Sequence, residues 1–295
     1  MSGRRFTCHS VAASLGALLD GGRRSEGTVL GSSSTAAYLA FDDVVVAVTA
    51  RTVPLMPNGA AVIESDGLEA FDSGGVARTS SRGMRAGRVE VIWDGVVPVD
   101  LAVPLNEGQG ARAVARRGSD LLDALGHEAD PLAAIAGACP ELVAGDGLEA
   151  VRLLFAGITD GDPEIAREAA GLLTGRGPGL TPDGDDLLAA AAAATLAFEG
   201  PAGTDRRIAG KLREALLVDE LEDRTGALSA TLLRLAVEGQ VIDPVRTLLD
   251  LTAERGMWLR ALGRLERIGH STGGTYALGC ALAAMALAGS NRKVR

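Results

Sequence analysis

Near residue 105 the hydrophobic period of this chain changes once and does not change back. Upstream, apolar residues alternate or run in short blocks over Ala36 to Phe41, Val44 to Thr49, Ala60 to Glu64, Val89 to Trp93 and Val96 to Leu101, the pattern of half-buried or buried strands. Asn58-Gly59 and Asp94-Gly95 are dipeptides that favour tight hairpins, and the second lies between two alternating runs, so hairpins are expected at both. Downstream, the spacing is helical over Ala111 to Leu125, Gly147 to Phe155, Glu164 to Leu173, Arg206 to Leu217, Leu228 to Glu238 and Val245 to Ala253. Strands followed by helices, without alternation, predict an α+β protein: a β-rich amino-terminal unit, then an all-helical carboxy-terminal unit. We expect the first over residues 1–106, opened by an amphipathic helix at Val11 to Leu19, and the second over 107–295. A chain of 295 residues is long enough for two cores, and no internal repeat is visible.

Hydrophobic residues make up 47% of the chain but aromatics only 3%, so those cores are built from Ala, Leu and Val, which favours close helix packing. A net charge of −9 argues against a nucleic-acid groove and for small molecules or proteins as partners. The three cysteines, Cys8, Cys139 and Cys280, are widely spaced and form no C-x-x-C pair, which fits a reducing cytoplasm and disfavours a zinc site. Leu187 to Phe198 and Tyr276 to Ala288 are apolar but fall short of the roughly 18 residues of a membrane span, so buried helices are expected there.

The most chemically informative segment is Gly175-Arg176-Gly177-Pro178-Gly179-Leu180-Thr181-Pro182-Asp183-Gly184-Asp185-Asp186, a Gly/Pro-punctuated loop that opens the alanine-rich helix. Thr181 suits the N-cap and Pro182 the first turn. Glycines let a ligand approach bare amides, so Gly177, Gly179, Thr181 and Gly184 are candidate contacts for phosphate or a carboxylate. Three aspartates would repel an unescorted phosphate, so Mg²⁺ held by Asp185, with Asp186 behind it, is the expected escort. The plainer alternative is that Asp183 complements the helix dipole while the others are solvated or paired. Because alanine normally suits a helix better than glycine, Gly184→Ala is expected to keep or raise stability.

Two further polar segments precede apolar helices. In Glu222-Asp223-Arg224-Thr225-Gly226-Ala227-Leu228-Ser229, Thr225 and Ser229 stand at i, i+4 on one face, either as ligand contacts or with Thr225 as a cap. In Arg267-Ile268-Gly269-His270-Ser271-Thr272-Gly273-Gly274-Thr275, His270 is a candidate acid–base residue, with Ser271 and Gly273 as ligand contacts. No nucleophile elbow, P-loop or strand-anchored G-x-G-x-x-G is present. The four arginines of Ala77 to Arg88 are expected in a small-residue loop, either solvated or acting as a lid over an anion.

These three segments, in this order, resemble the family that includes the third subunit of the oxamate carbamoyltransferase of allantoin breakdown. Its hallmark, similar to G-x-G-x-G-L-T-P-S-G-D-D, is matched by Gly175, Gly177, Gly179, Leu180, Thr181, Pro182, Gly184, Asp185 and Asp186; Thr225 and Ser229 match the Thr-x-x-x-Ser segment, and Gly269, His270, Ser271 and Gly273 the late loop. Asp183 stands where serine is expected and Thr275 where an acidic residue is expected. The resemblance implies purine catabolism: phosphorolysis of oxalurate or a related carbamoyl compound to oxamate and carbamoyl phosphate, in a hetero-oligomer with a partner like the succinyl-CoA synthetase α subunit. His270 and Asp185 are the candidate catalytic residues, and the alternative is a non-catalytic assembly or regulatory subunit that binds a small anion.

Overall fold

The computed structural model describes residues 3–19, 26–126, 135–137, 139–269 and 271–290. The chain divides into two compact units, Met1–Leu101 and Ala102–Arg295. The order of elements is that of an α+β protein with an all-helical second unit.

The first unit comprises β1 (Arg4–Ala12), a short helix α1 (Leu15–Leu18), β2 (Glu26–Ser32), β3 (Ala36–Phe41), β4 (Val44–Thr49), β5 (Gly59–Val62), β6 (Val76–Ser80), β7 (Gly83–Ala86), β8 (Val89–Ile92) and β9 (Pro98–Val99). The strands run β5-β4-β3-β2-β6-β7-β8-β1, and β1 pairs back onto β5, closing a barrel that leaves these strands without open edges. Pairing is antiparallel except for β4–β5, β8–β1 and β1–β9, which are parallel. Alternation on β3 sends Ala37, Leu39 and Phe41 inward, and Phe6 stacks with Phe71, their ring centroids 6.4 Å apart.

Four sequence expectations are corrected here. The first element is the strand β1; the expected helix shrinks to α1, because Phe6, Cys8 and Val11 alternate into the barrel. Asn58-Gly59 closes no hairpin: β4 and β5 run parallel, Asn58 is buried, and its side-chain amide donates to Val45 O at 2.9 Å. Asp94-Gly95 closes none either, since β9 pairs with β1 at Val11↔Pro98 and Ala12↔Val99. The arginine-rich stretch is the β6–β7 hairpin, where Arg78 pairs with Glu26 at 2.9 Å and Arg82 with Asp94 at 3.6 Å. These pairs are exposed and contribute little stability.

In the second unit follow α2 (Ala111–Ala124), α3 (Gly147–Asp160), α4 (Pro163–Leu173), α5 (Asp183–Ala202), α6 (Arg206–Ala215), α7 (Leu221–Arg224), α8 (Ala227–Val237), α9 (Asp243–Leu249), α10 (Arg255–Leu265) and α11 (Thr272–Ser290). The alanine-rich α5 is buried along nearly its whole length and packs against α11 and α8. Small side chains set that closeness: a Cβ at Gly279 would press into Ala190. By length and composition α11 could cross a membrane, since it begins four residues before the apolar run read from the sequence, but 78% of that window is buried within the protein. Asn106 fastens the far end of the bundle, its amide donating to Ala197 O at 3.0 Å and Leu249 O at 2.9 Å while its oxygen accepts from Leu251 N at 2.8 Å.

Candidate functional site

The starts of α5, α8 and α11 meet inside the helical unit, and the polar residues around them serve one another across helices rather than capping their own. The N-caps of α5 and α8 are Pro182 and Gly226, neither with a side-chain cap bond. The hydroxyls expected to cap, those of Thr181 and Thr225, point elsewhere: Thr181 Oγ1 lies 2.9 Å from Thr272 Oγ1 at the start of α11, and Thr225 Oγ1 donates to Asp185 Oδ2.

Asp185 is the knot of this arrangement. Oδ1 accepts the Gly175 amide at 2.8 Å, and Oδ2 accepts the hydroxyls of Thr225 and of Ser229, the latter at 2.7 Å. One carboxylate thus ties the Gly-rich loop to α5 and to α8. Burial raises the Asp185 pKa, and these three donors oppose the rise.

Asp186 is buried as deeply but is less well served. Its Oδ2 is shielded from solvent with no partner among the described residues, and the nearby hydroxyls of Thr272 and Thr181 favour its charged form. Burial pushes its pKa well above the usual carboxylate range, and the charges of Asp183 and Asp185 push the same way. On the same floor Thr275 Oγ1 lies 3.3 Å from Asp183 Oδ1, 3.1 Å from Ser271 O and 3.0 Å from Cys139 Sγ. The two positions that depart from the resembled pattern, Asp183 and Thr275, therefore face each other. A carboxylate and a hydroxyl still meet there with their positions exchanged. Burying three carboxylates together is tolerable because the positive ends of helix dipoles converge on them.

Close backbone approach completes the centre. A Cβ on Gly184 would fall well inside contact distance of Leu173 O, at the end of α4, and Gly184 N donates to Arg176 O at 2.9 Å. A Cβ on Gly273 would collide in the same way with Leu265 O at the end of α10. The expectation that alanine is harmless at Gly184 is overturned, because the packed carbonyl outweighs helix propensity.

Thr181, Gly184, Thr225, Ser229, Asp185 and Asp186 thus come together, with Ser271 and Gly273 at the start of α11 beside them. Gly177 lies against the start of α5, where a Cβ on it would press on Asp183 N, and Gly179 is exposed in the outer part of the loop. His270 lies outside the described residues. Arg176 of the same loop is anchored by Asp146 and by Ala144 O at 2.7 Å. Sequence reading missed Thr272; its i, i+3 relation to Thr275 on one helix face was the available signal. Among the described residues no three His, Cys, Asp or Glu side chains are grouped to hold an ion, and Asp185 already accepts three donors, so the centre does not fit a resident Mg²⁺.

Fold and centre together define an α+β protein whose helical unit carries a buried, hydroxyl-lined acidic centre at three helix starts. Residues 173–284 of it match the family model described as oxamate carbamoyltransferase subunit AllH, the family that the motifs resemble. The matched segment runs from the end of α4 into α11 and takes in each polar segment of the centre. No curated protein and no solved structure matches the chain.

Proposed function

We propose that this chain is a subunit of an oxamate carbamoyltransferase-like complex, acting in phosphorolysis of oxalurate or a related carbamoyl compound, and that the Asp185–Asp186 centre binds its small carboxylate substrate. The observation that carries this reading is the convergence of three polar segments, far apart in sequence, on two neighbouring carboxylates within the segment that matches the family. Carbamoyl transfer requires a substrate held rigidly and a developing oxyanion met by fixed donors. Backbone amides at the helix starts supply fixed donors of that kind, held in place by the hydroxyl–carboxylate bonds around Asp185. Three buried carboxylates oppose an unescorted anion of either kind, so the charged end of the ligand is met by backbone amides at the helix starts and not by the carboxyls.

The test is reconstitution: formation of carbamoyl phosphate from oxalurate and phosphate by the partner subunits, with and without this chain. Activity should require the chain, and Thr225→Val should lower it at least about tenfold, the loss expected when a buried carboxylate is deprived of a donor. Full activity of the partners alone would refute the reading. The second reading, an assembly subunit, draws on the complete engagement of Asp185 within the protein. It requires that Thr225→Val act by dissociating the complex, which size-exclusion chromatography would register.

A further inference from the structure

We infer that the outer face of the barrel carries a second ligand site, in which Arg78 and Arg85 hold a phosphate dianion, free or as the head of a small ester. It lies in the first unit, outside residues 173–284, and stands apart from the acidic centre. Strand register sets it up. Glu26, Arg78, Arg85, Glu90 and Arg5 stand opposite one another in one row across β2, β6, β7, β8 and β1, on the outward side of the sheet. The ends of the row are settled, since Arg78 pairs with Glu26 at 2.9 Å and Arg5 with Glu90 at 2.9 Å. Its middle is not. Arg85 faces Arg78 directly, makes no ion pair among the described residues, and donates only from Nε to Gly87 O at 3.3 Å. Like charges directly opposite on neighbouring strands oppose pairing, so an anion between the two guanidiniums would relieve the sheet.

Space for one lies beside the row. A hollow of about 470 Å³, the size of small-molecule sites, is walled by Arg5, Arg78, Arg82 and Arg85 together with Glu90 and Asp94. Both carboxylates are already engaged, Glu90 by Arg5 and Asp94 by Arg82 at 3.6 Å. Four arginines against two carboxylates make this wall positive in a chain whose net charge is −9. Each guanidinium grips two oxygens by parallel hydrogen bonds; a phosphate dianion has the oxygens and charge to engage two such forks, whereas a single carboxylate is used up by one. A nucleic acid would meet the acidic remainder of the chain, which leaves a small molecule as the ligand. The β6–β7 hairpin is paired at four positions from Ala77↔Ala86 to Ser80↔Gly83, so the two arginines are held at the hollow before a ligand arrives.

The experiment is a phosphorus-31 NMR titration of the full chain with inorganic phosphate and with glucose 6-phosphate, in low salt near pH 8, where both are dianions. Both should bind saturably, and Arg85→Gln should weaken both by about fivefold or more, the worth of an exposed ion pair of good geometry. Arg167→Gln, at an exposed arginine of α4, should change neither. Tighter binding of the ester would assign the hollow to a phosphorylated metabolite, and equal binding to phosphate itself. Without phosphate, Arg85→Gln should melt no lower than the natural chain, because it removes a like-charged contact; a lower melting temperature would show Arg85 to be structural and overturn the inference. Absence of saturable binding overturns it, and so does binding that Arg85→Gln leaves unchanged, as phosphate held at the helix starts of the second unit would be. Displacement of phosphate by an equal concentration of acetate would mark a carboxylate site and overturn it too.

Discussion

Asp186 carries its carboxyl into surroundings that oppose its charge, and that opposition is measurable. Its pKa is raised by burial and then by neighbouring carboxylates, so the folded chain holds the proton more tightly than the unfolded one. The stabilisation is fully present below the unfolded value near 3.8 and is lost as pH rises through the higher folded value. Thermal stability should therefore decline on moving up from about pH 4. Asp186→Asn should flatten that decline and melt above the natural chain at neutral pH; unchanged pH profiles would remove the buried titration. Asp185 contributes in the same direction, so some slope should survive the substitution. At this scale the sequence disclosed residue types better than roles. A threonine ahead of a helix can cap it or serve a neighbour, and only tertiary packing sent Thr181 to Thr272 and Thr225 to Asp185.

Helices with a strong 3.6-residue period were legible almost to their ends: α2 begins at Ala111 and α4 ends at Leu173, as the pattern predicts. β3 and β4 were read to the residue for the same reason, since their burial follows the apolar pattern. β2 and β6 were not, because each buries a single side chain, Val29 and Ala77, and offers no alternation to read. Hairpin dipeptides misled because a parallel neighbour across a barrel leaves no local trace. Close packing at helix starts was equally hidden, and it makes Gly184→Ala a decisive test. Against the carbonyl of Leu173 the new methyl should cost about 1–3 kcal/mol, or about 2–4 °C of melting temperature per kcal/mol in a unit of this size. Calorimetry that found the variant as stable as the natural chain would show that α4 gives way.

For the molecule as a whole, each unit buries its own apolar cluster, and the three thiols report on them separately: Cys8 in the barrel, Cys139 and Cys280 among the helices. Burial pushes Cys8 and Cys280 up to about 12 and Cys139 to about 11, so none should react with a thiol-disulfide reagent at pH 8 while its unit is folded. In a denaturant series one thiol should appear with loss of the strand signal and two with loss of the helical signal. Rapid labelling of the native chain would contradict the burial described. The division into a β unit and a helical unit was legible because it follows the change of hydrophobic period, whereas barrel closure was not, since it depends on β1 finding β5 and β8. That strand also sets a timetable. Its nine residues are made before their partners β5, β8 and β9, the last of them ending at Val99. During synthesis β1 therefore waits unpaired until β5 has left the ribosome, and its other edge stays open until β8 and β9 follow, so a shielding chaperone would matter most in that interval.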